Sequence, residues 1–339
     1  MNAPRPLRLS SYDGSGQNVH PDVLRVRGGF AGHEYWMAIT PYPYCRDRLE
    51  NPALRASDDG CTWFLPVGVP DPIVPPPADP DAHHADADIV VADGVMHMVY
   101  ITTNEFDRRT QFSVVRSRDA RTWAPPVVIH DEQWGVSPAM VVRDETWHLW
   151  YVDYDSDADA TRSRVRLRTG RQLEALGEPA DCMLEIPGHV AWHLDVIDTP
   201  EGFEALIAAF RVGAPSSRCR LFHAASTDGR HWRLSADSPV LTPSWLGWDN
   251  RVVYRATMLK DGRDAYRVWY TGGSWGKVWG VGALEGGMRR LRPAAGDLAE
   301  PAPSGARLIA DTVGATRYGI GRLLSRTLVR RMRSWRRGR

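Results

Sequence analysis

The chain has 339 residues, 43% of them hydrophobic and 24% charged, enough to bury a full core and too apolar for general disorder. Its 42 basic and 41 acidic side chains leave a formal charge of +1, so no global field draws it to nucleic acid. No apolar run approaches the roughly 18 residues of a membrane span, and the N-terminal residues lack the apolar stretch of a secretory signal.

Cys45, Cys61, Cys182 and Cys219 are scattered, with no C-x-x-C pair for zinc or redox chemistry. A reduced, cytoplasmic thiol set is the expectation. Gly and Pro punctuate short runs rich in Val, Ile, Tyr and Trp, which is strand-and-turn chemistry.

In chain order, apolar hairpins are expected at residues 22–39, 88–100, 139–151, 195–207 and 255–270. Their tips carry Asp-Gly, Gly-Gly or similar turn pairs. A second unit, Ser-x-Asp-Gly-x-x-Trp or a close variant, follows at residues 57–63, 117–123 and 226–232. Its tryptophans, Trp63, Trp123 and Trp232, are expected in the core. Units starting roughly 50 to 65 residues apart predict an all-β fold, a five-bladed β-propeller of four-stranded antiparallel blades. The blades fall at about residues 18–70, 84–130, 135–185, 191–240 and 250–293, within a domain spanning 1–293 that includes an N-terminal extension of about 1–17. The Pro-rich residues 71–80 are a stiff connector.

Residues 294–316 read as a connector and 317–339 as a basic amphipathic helix. Ile320, Leu324, Leu328, Met332 and Trp335 form one apolar stripe, and Arg322, Arg326, Arg330, Arg333 and Arg337 surround it. Such a helix suits an anionic membrane surface at the cytoplasmic face. The alternative is a stripe docked on the propeller.

Inner strands line a propeller's channel, so their starts can be superposed. They read His20-Pro21-Asp22, Asp86-Ala87-Asp88, Ser137-Pro138-Ala139, His193-Leu194-Asp195 and Val253-Tyr254-Arg255. Strand alternation then gives two rings. The upper holds His20, Asp86, Ser137, His193 and Val253; the lower holds Asp22, Asp88, Ala139, Asp195 and Arg255. Carboxylates gathered in a cavity raise one another's pKa, which points to function more than to packing.

The five repeats, the Ser-x-Asp-Gly-x-x-Trp turns and the acidic strand starts resemble the five-bladed β-propeller glycoside hydrolases, the group of arabinanases, xylosidases, invertases and levansucrases. The resemblance covers about residues 18–293. It implies an enzyme acting on a glycan or sugar conjugate, with Asp22 and Asp88 as the first two carboxylates. The chain departs from the family where blade three would supply a Glu, because Ser137-Pro138-Ala139 has no carboxylate. Asp195 or Glu50 must then be the acid. A second departure is His20, where the family reads Asp before Pro21.

Carboxylates from separate blades suit the inverting gap of about 6.5–9.5 Å. Expected polar substrate contacts are His20, Arg46, Asn51, His84, Asp86, His193 and Arg255. Trp192 and Tyr254 are stacking surfaces, with Trp36, Tyr42 and Trp275 as further aromatic candidates. His83, His84, Asp86, Asp88, His20 and His193 are metal-ligand types, but they lack helical His-x-x-x-His spacing. No cofactor or metal is therefore expected to be required, and the resemblance admits a structural cation in the channel. Residues 272–276 are Gly-rich yet link two strands, which excludes a phosphate loop. The alternative function is a non-catalytic carbohydrate- or partner-binding propeller brought to the membrane by its tail.

Overall fold

A computed structural model of the chain describes residues 5–104, 109–154, 163–294 and 296. The connector and the basic helix expected at 294–339 lie almost wholly outside the described residues. The rest forms five antiparallel sheets in chain order around one axis. Blade one holds β1 (Asn18–Phe30), β2 (His33–Pro41) and β3 (Ala53–Ser57). Its fourth position is reduced to one bridge between Ala56 and Phe64. Blade two holds β4 (Ala82–Ala92), β5 (Val95–Asn104), β6 (Arg109–Ser117) and β7 (Val127–Glu132). Blade three holds β8 (Gly135–Arg143), β9 (Thr146–Asp153), β10 (Arg164–Gly170) and β11 (Ala180–Asp181). Blade four holds β12 (His189–Thr199), β13 (Gly202–Arg211), β14 (Arg220–Ser226) and β15 (Arg233–Leu234). Blade five holds β16 (Val252–Gly262), β17 (Ala265–Gly273), β18 (Trp279–Gly286) and β19 (Arg292–Pro293).

The repeated turn explains itself in hydrogen bonds. At the end of β3 the Ser57 hydroxyl bonds Asp59 and accepts the Gly60 amide, while Asp59 Oδ1 accepts the Cys61 and Thr62 amides at 2.6 and 2.7 Å. Asp119 and Asp228 repeat the pattern, each taking two amides within 2.9 Å. An Asx turn of this kind satisfies backbone donors that the reversal would otherwise strand. Trp232 then seats in the core between blades three and four.

Each blade buries one face against the next, so the core is five interfaces and not one centre. Trp36, Met98 and Tyr100 fill the first, and Phe112, Leu149 and Tyr151 the second. Trp150, Ile207 and Phe222 fill the third, and Met258, Val268 and Tyr270 the fourth. The N-terminal segment completes the fifth. Leu7 and Leu9 pack with Met37 and Trp269 between blades one and five, and the Leu7 amide donates to the Val281 carbonyl at 2.7 Å. This joins the first described residues to the last blade and leaves no gap in the ring.

Glu204 ties blade four to blade five. It accepts from the Tyr266 hydroxyl at 2.9 Å, lies 3.1 Å from His223 Nε2 and contacts Lys260 Nζ. Burial raises its pKa, but these three partners outweigh that and hold it at about 2, below the ordinary 4.5. A depressed folded-state pKa contributes stability that is present above the unfolded value and lost as pH falls toward 2. Glu204→Gln is expected to cost roughly 2–3 kcal/mol at pH 7, with the deficit shrinking below about pH 4. Denaturant unfolding of both proteins at pH 7 and pH 3 checks it.

Candidate active site at the channel mouth

All five inner strands carry an extra residue where the aligned triplets sit. The shifts fall between Val19 and Asp22, Ala85 and Asp88, Val136 and Ala139, Ala191 and His193, and Val253 and Ala256. Each is a β-bulge, a device that re-aims side chains and breaks the period of two. His20, Asp86 and Ser137 adopt φ values of 54°, 51° and 58°, left-handed conformations that carry strain for residues with a side chain. Measured from these bulges, the superposition of strand starts is one residue out in blade five, where Tyr254 matches His20, Asp86 and Ser137. Val253 is wholly buried in the core, and Tyr254 is the residue beside the upper ring, with its ring 4.3 Å from His193 and 5.6 Å from His20.

The upper cluster joins His20, Asp86 and His193, whose ligand-type atoms lie within 4.8 Å of one another. All three are buried. His20 Nδ1 is 3.0 Å from Asp86 Oδ1, 3.1 Å from Thr40 Oγ1 and 3.5 Å from Glu50 Oε2. Asp86 Oδ2 accepts the Ser137 amide at 2.8 Å. Burial lowers the pKa of both imidazoles, His20 to about 4 and His193 to about 3. Burial raises that of Asp86, but His20, His193, Arg255 and the Ser137 amide outweigh it and hold the carboxyl at about 2. Burial, with Asp47 and Asp86 nearby, pushes Glu50 well above the ordinary carboxylate range.

Two of these groups are left incompletely paired. Neither His193 nitrogen makes a hydrogen bond, Nδ1 lying 3.6 Å from Asp86 Oδ2, and Asp86 Oδ1 has only its ion-pair contact with His20 Nδ1, although buried polar atoms are nearly always fully paired. Two neutral imidazoles and an ionised carboxylate, with ligand-type atoms converging within 4.8 Å, are a donor set for a divalent transition metal such as zinc or manganese. The residues present fit such an ion.

The lower cluster, Asp22, Asp88 and Asp195, is also gathered within 4.8 Å, but it is already occupied. Asp22 accepts the Ile89 amide of blade two at 2.6 Å, and Asp88 accepts the Met140 amide of blade three at 2.9 Å. Thr257 of blade five donates to Asp22. The Arg255 guanidinium, fully buried, reaches Asp88 at 3.3 Å and the Pro138 carbonyl at 2.9 Å. Burial raises Asp22 to about 6 and Asp195 to about 7, with Arg255 opposing in each, and lifts Asp88 well above its usual range. Carboxylates this close, tied to backbone amides, do not straddle the gap an inverting pair leaves for sugar and water. Their visible work is to fasten successive blades around one guanidinium.

The remaining expected residues separate. Asn51 is buried behind Glu50 and donates to the Tyr12 hydroxyl at 2.6 Å and the Arg48 carbonyl at 3.3 Å, which steadies the β2–β3 loop. His84 bonds Thr102 and the Pro75 carbonyl, facing the connector and not the cluster. Arg46 is exposed on the β2–β3 loop, and Trp36 is core. Trp192 donates its indole N–H to the Tyr254 hydroxyl. Aromatic contacts continue on both sides, from Tyr254 to Trp279 and Tyr42, and from Trp192 to Tyr154 and Trp134. Trp279, Tyr154 and Trp134 were not singled out in the sequence; each lies at a blade's upper edge, a position the strand pattern marks only weakly.

No protein-family model matches the chain. The sequence is 26% identical over 309 residues to the A type blood N-acetyl-α-D-galactosamine deacetylase of Flavonifractor plautii, covering 75% of this chain and 40% of that protein. The chain thus spans well under half the length of that relative. Among solved structures it is similar to an N-acetylgalactosamine deacetylase from F. plautii in complex with blood group B trisaccharide, with a TM-score of 0.77, 22% identity, and 85% of this chain and 96% of that one covered. It is also similar to a thermostable family-43 glycoside hydrolase, with a TM-score of 0.59, 12% identity, and 87% and 99% covered. A family-43 protein from Bacillus licheniformis gives a TM-score of 0.59 at 13% identity, with 86% and 59% covered. The chain has the five-bladed propeller fold that the deacetylase and the family-43 glycoside hydrolases share.

Proposed function

We propose that the protein removes the acetyl group from an N-acetylated sugar of a glycan, using a divalent cation held by His20, Asp86 and His193. The observation that carries this reading is the buried convergence of His20, Asp86 and His193, with neither His193 nitrogen hydrogen-bonded, beside Glu50. Likeness to a glycan deacetylase in sequence and fold supports it.

A bound cation would polarise the amide carbonyl and acidify a nearby water. Glu50 takes the proton of the attacking water as its oxygen adds to the carbonyl carbon. As the C–N bond breaks, Glu50 returns that proton to the nitrogen, giving acetate and a free amino sugar. Its raised pKa suits both halves of this exchange. Tyr254 accepts from Trp192, so its own O–H is directed elsewhere and can donate to the developing oxyanion. The aromatic wall excludes water and offers ring faces to the sugar.

Glycoside cleavage at the same place would instead set protonated Glu50 against ionised Asp86. Metal content separates the two readings. Purified protein is expected to bind one divalent cation tightly by elemental analysis, and His193→Ala to lose it while keeping the fold. A chain that is fully active after chelation, with no metal bound, contradicts the proposal.

A further inference from the structure

Among the described residues, three loops rise from the end of the propeller where the inner strands begin, because each joins the second strand of a blade to its third. They are residues 42–52, which carry Glu50, residues 212–219 between β13 and β14, and residues 274–278 between β17 and β18. The last presents Trp275, 60% exposed, and among the described tryptophans only Trp245 is more so. The Arg218 and Arg251 guanidiniums lie 5.5 and 5.6 Å from its ring centroid. Neither forms an ion pair among the described residues. Arg251 donates only to the Ser217 hydroxyl at 3.2 Å, and its buried Nε has no partner. Lys277 adds a third cation on the same hairpin.

An exposed indole with two guanidiniums near its ring, neither ion-paired among the described residues, is an unusual surface. Its aromatic face suits the apolar side of a pyranose, and its charges suit a carboxylate or sulfate on that ring. Trp279, at the base of the same hairpin, lies tilted against Tyr254, and Tyr254 meets His193 edge-on, so the hairpin that carries Trp275 ends at the aromatic wall of the centre. We infer that Trp275, Arg218 and Arg251 form a rim subsite for an acidic sugar, carboxylated or sulfated, in the glycan whose N-acetylated unit enters the centre. This rests on the proposed glycan-processing role, and it narrows the substrate to anionic chains.

Equilibrium titrations with three tetrasaccharides test it: hyaluronan, chondroitin sulfate and neutral chitotetraose. The acidic chains are expected to bind at least about tenfold more tightly than chitotetraose, with affinity falling as salt rises. A stronger response to chondroitin sulfate than to hyaluronan assigns the contact to sulfate, and equal responses assign it to carboxylate. Trp275→Ala is expected to weaken acidic binding about tenfold. Joint Arg218→Ala and Arg251→Ala replacement is expected to erase the preference for charge. Trp245→Ala, at a site 93% exposed, is expected to change nothing and serves as the control. Equal binding of neutral and acidic chains, no acidic binding, or an unaffected Trp275→Ala protein overturns the inference. These titrations read binding alone, so failure at the rim and failure of deacetylation at the centre are separate results.

Discussion

Arg255→Met is expected to destabilise the propeller by about 3–5 kcal/mol, the usual result of stripping the partner from buried charge. The side chain is wholly buried, and it is the one cation reaching the lower carboxylates of Asp22, Asp88 and Asp195 among the described residues. Without it the three acids have amides and hydroxyls but no neutralising charge. For a domain of this size the thermal midpoint should fall by roughly 6–15 °C. The sign with pH follows from the raised carboxyl values of about 6 and 7. Protonation relieves repulsion, so the deficit should be largest at pH 8 and smaller at pH 5. Thermal melts at both values read it; an equal or larger deficit at pH 5 would count against this role for Arg255.

Glu50→Gln is expected to reduce turnover by about a thousandfold, within the 10²–10⁴ range typical of a lost general acid–base. The replacement keeps size and leaves His20, Asp86 and His193 in place, so metal content should not change. A deacetylation assay beside elemental analysis separates loss of chemistry from loss of the ion. Asp195→Asn makes the contrast: it sits in the lower ring, and its effect should appear in the melting temperature before it appears in turnover per folded molecule. A Glu50→Gln protein with undiminished turnover removes Glu50 from the mechanism.

The blades were legible because their signals are local. Ser57, Asp59 and Gly60 make a turn whose hydrogen bonds close within four residues, and the pattern recurs at Ser117 and Ser226. The upper ring was legible as a set of positions, since His20, Asp86 and His193 fall at equivalent strand starts. Their chemistry was harder to read. Three carboxylates two residues farther along looked more like a catalytic centre, and the clusters, equally buried, differ in their bonding. Asp22 and Asp88 spend their oxygens on the amides of Ile89 and Met140, whereas the His193 nitrogens make no hydrogen bond and Asp86 Oδ1 meets only the imidazole of His20. Blade five was set one residue out in the superposition: relative to the bulge Tyr254, and not Val253, matches His20, Asp86 and Ser137, and Val253-Tyr254-Arg255 has no His or Asp to fix the register.

The central claim is that this site hydrolyses an amide and leaves the glycosidic bonds intact. Mass spectrometry of an N-acetylhexosamine-containing oligosaccharide, incubated with metal-loaded protein, reads both bonds at once. The expected product keeps every sugar and has lost one acetyl group, with acetate released in equal amount, and neither chelated protein nor Glu50→Gln forms it at a comparable rate. Shortened oligosaccharides that retain their acetyl groups would show that the site cleaves between sugars, and would contradict the account.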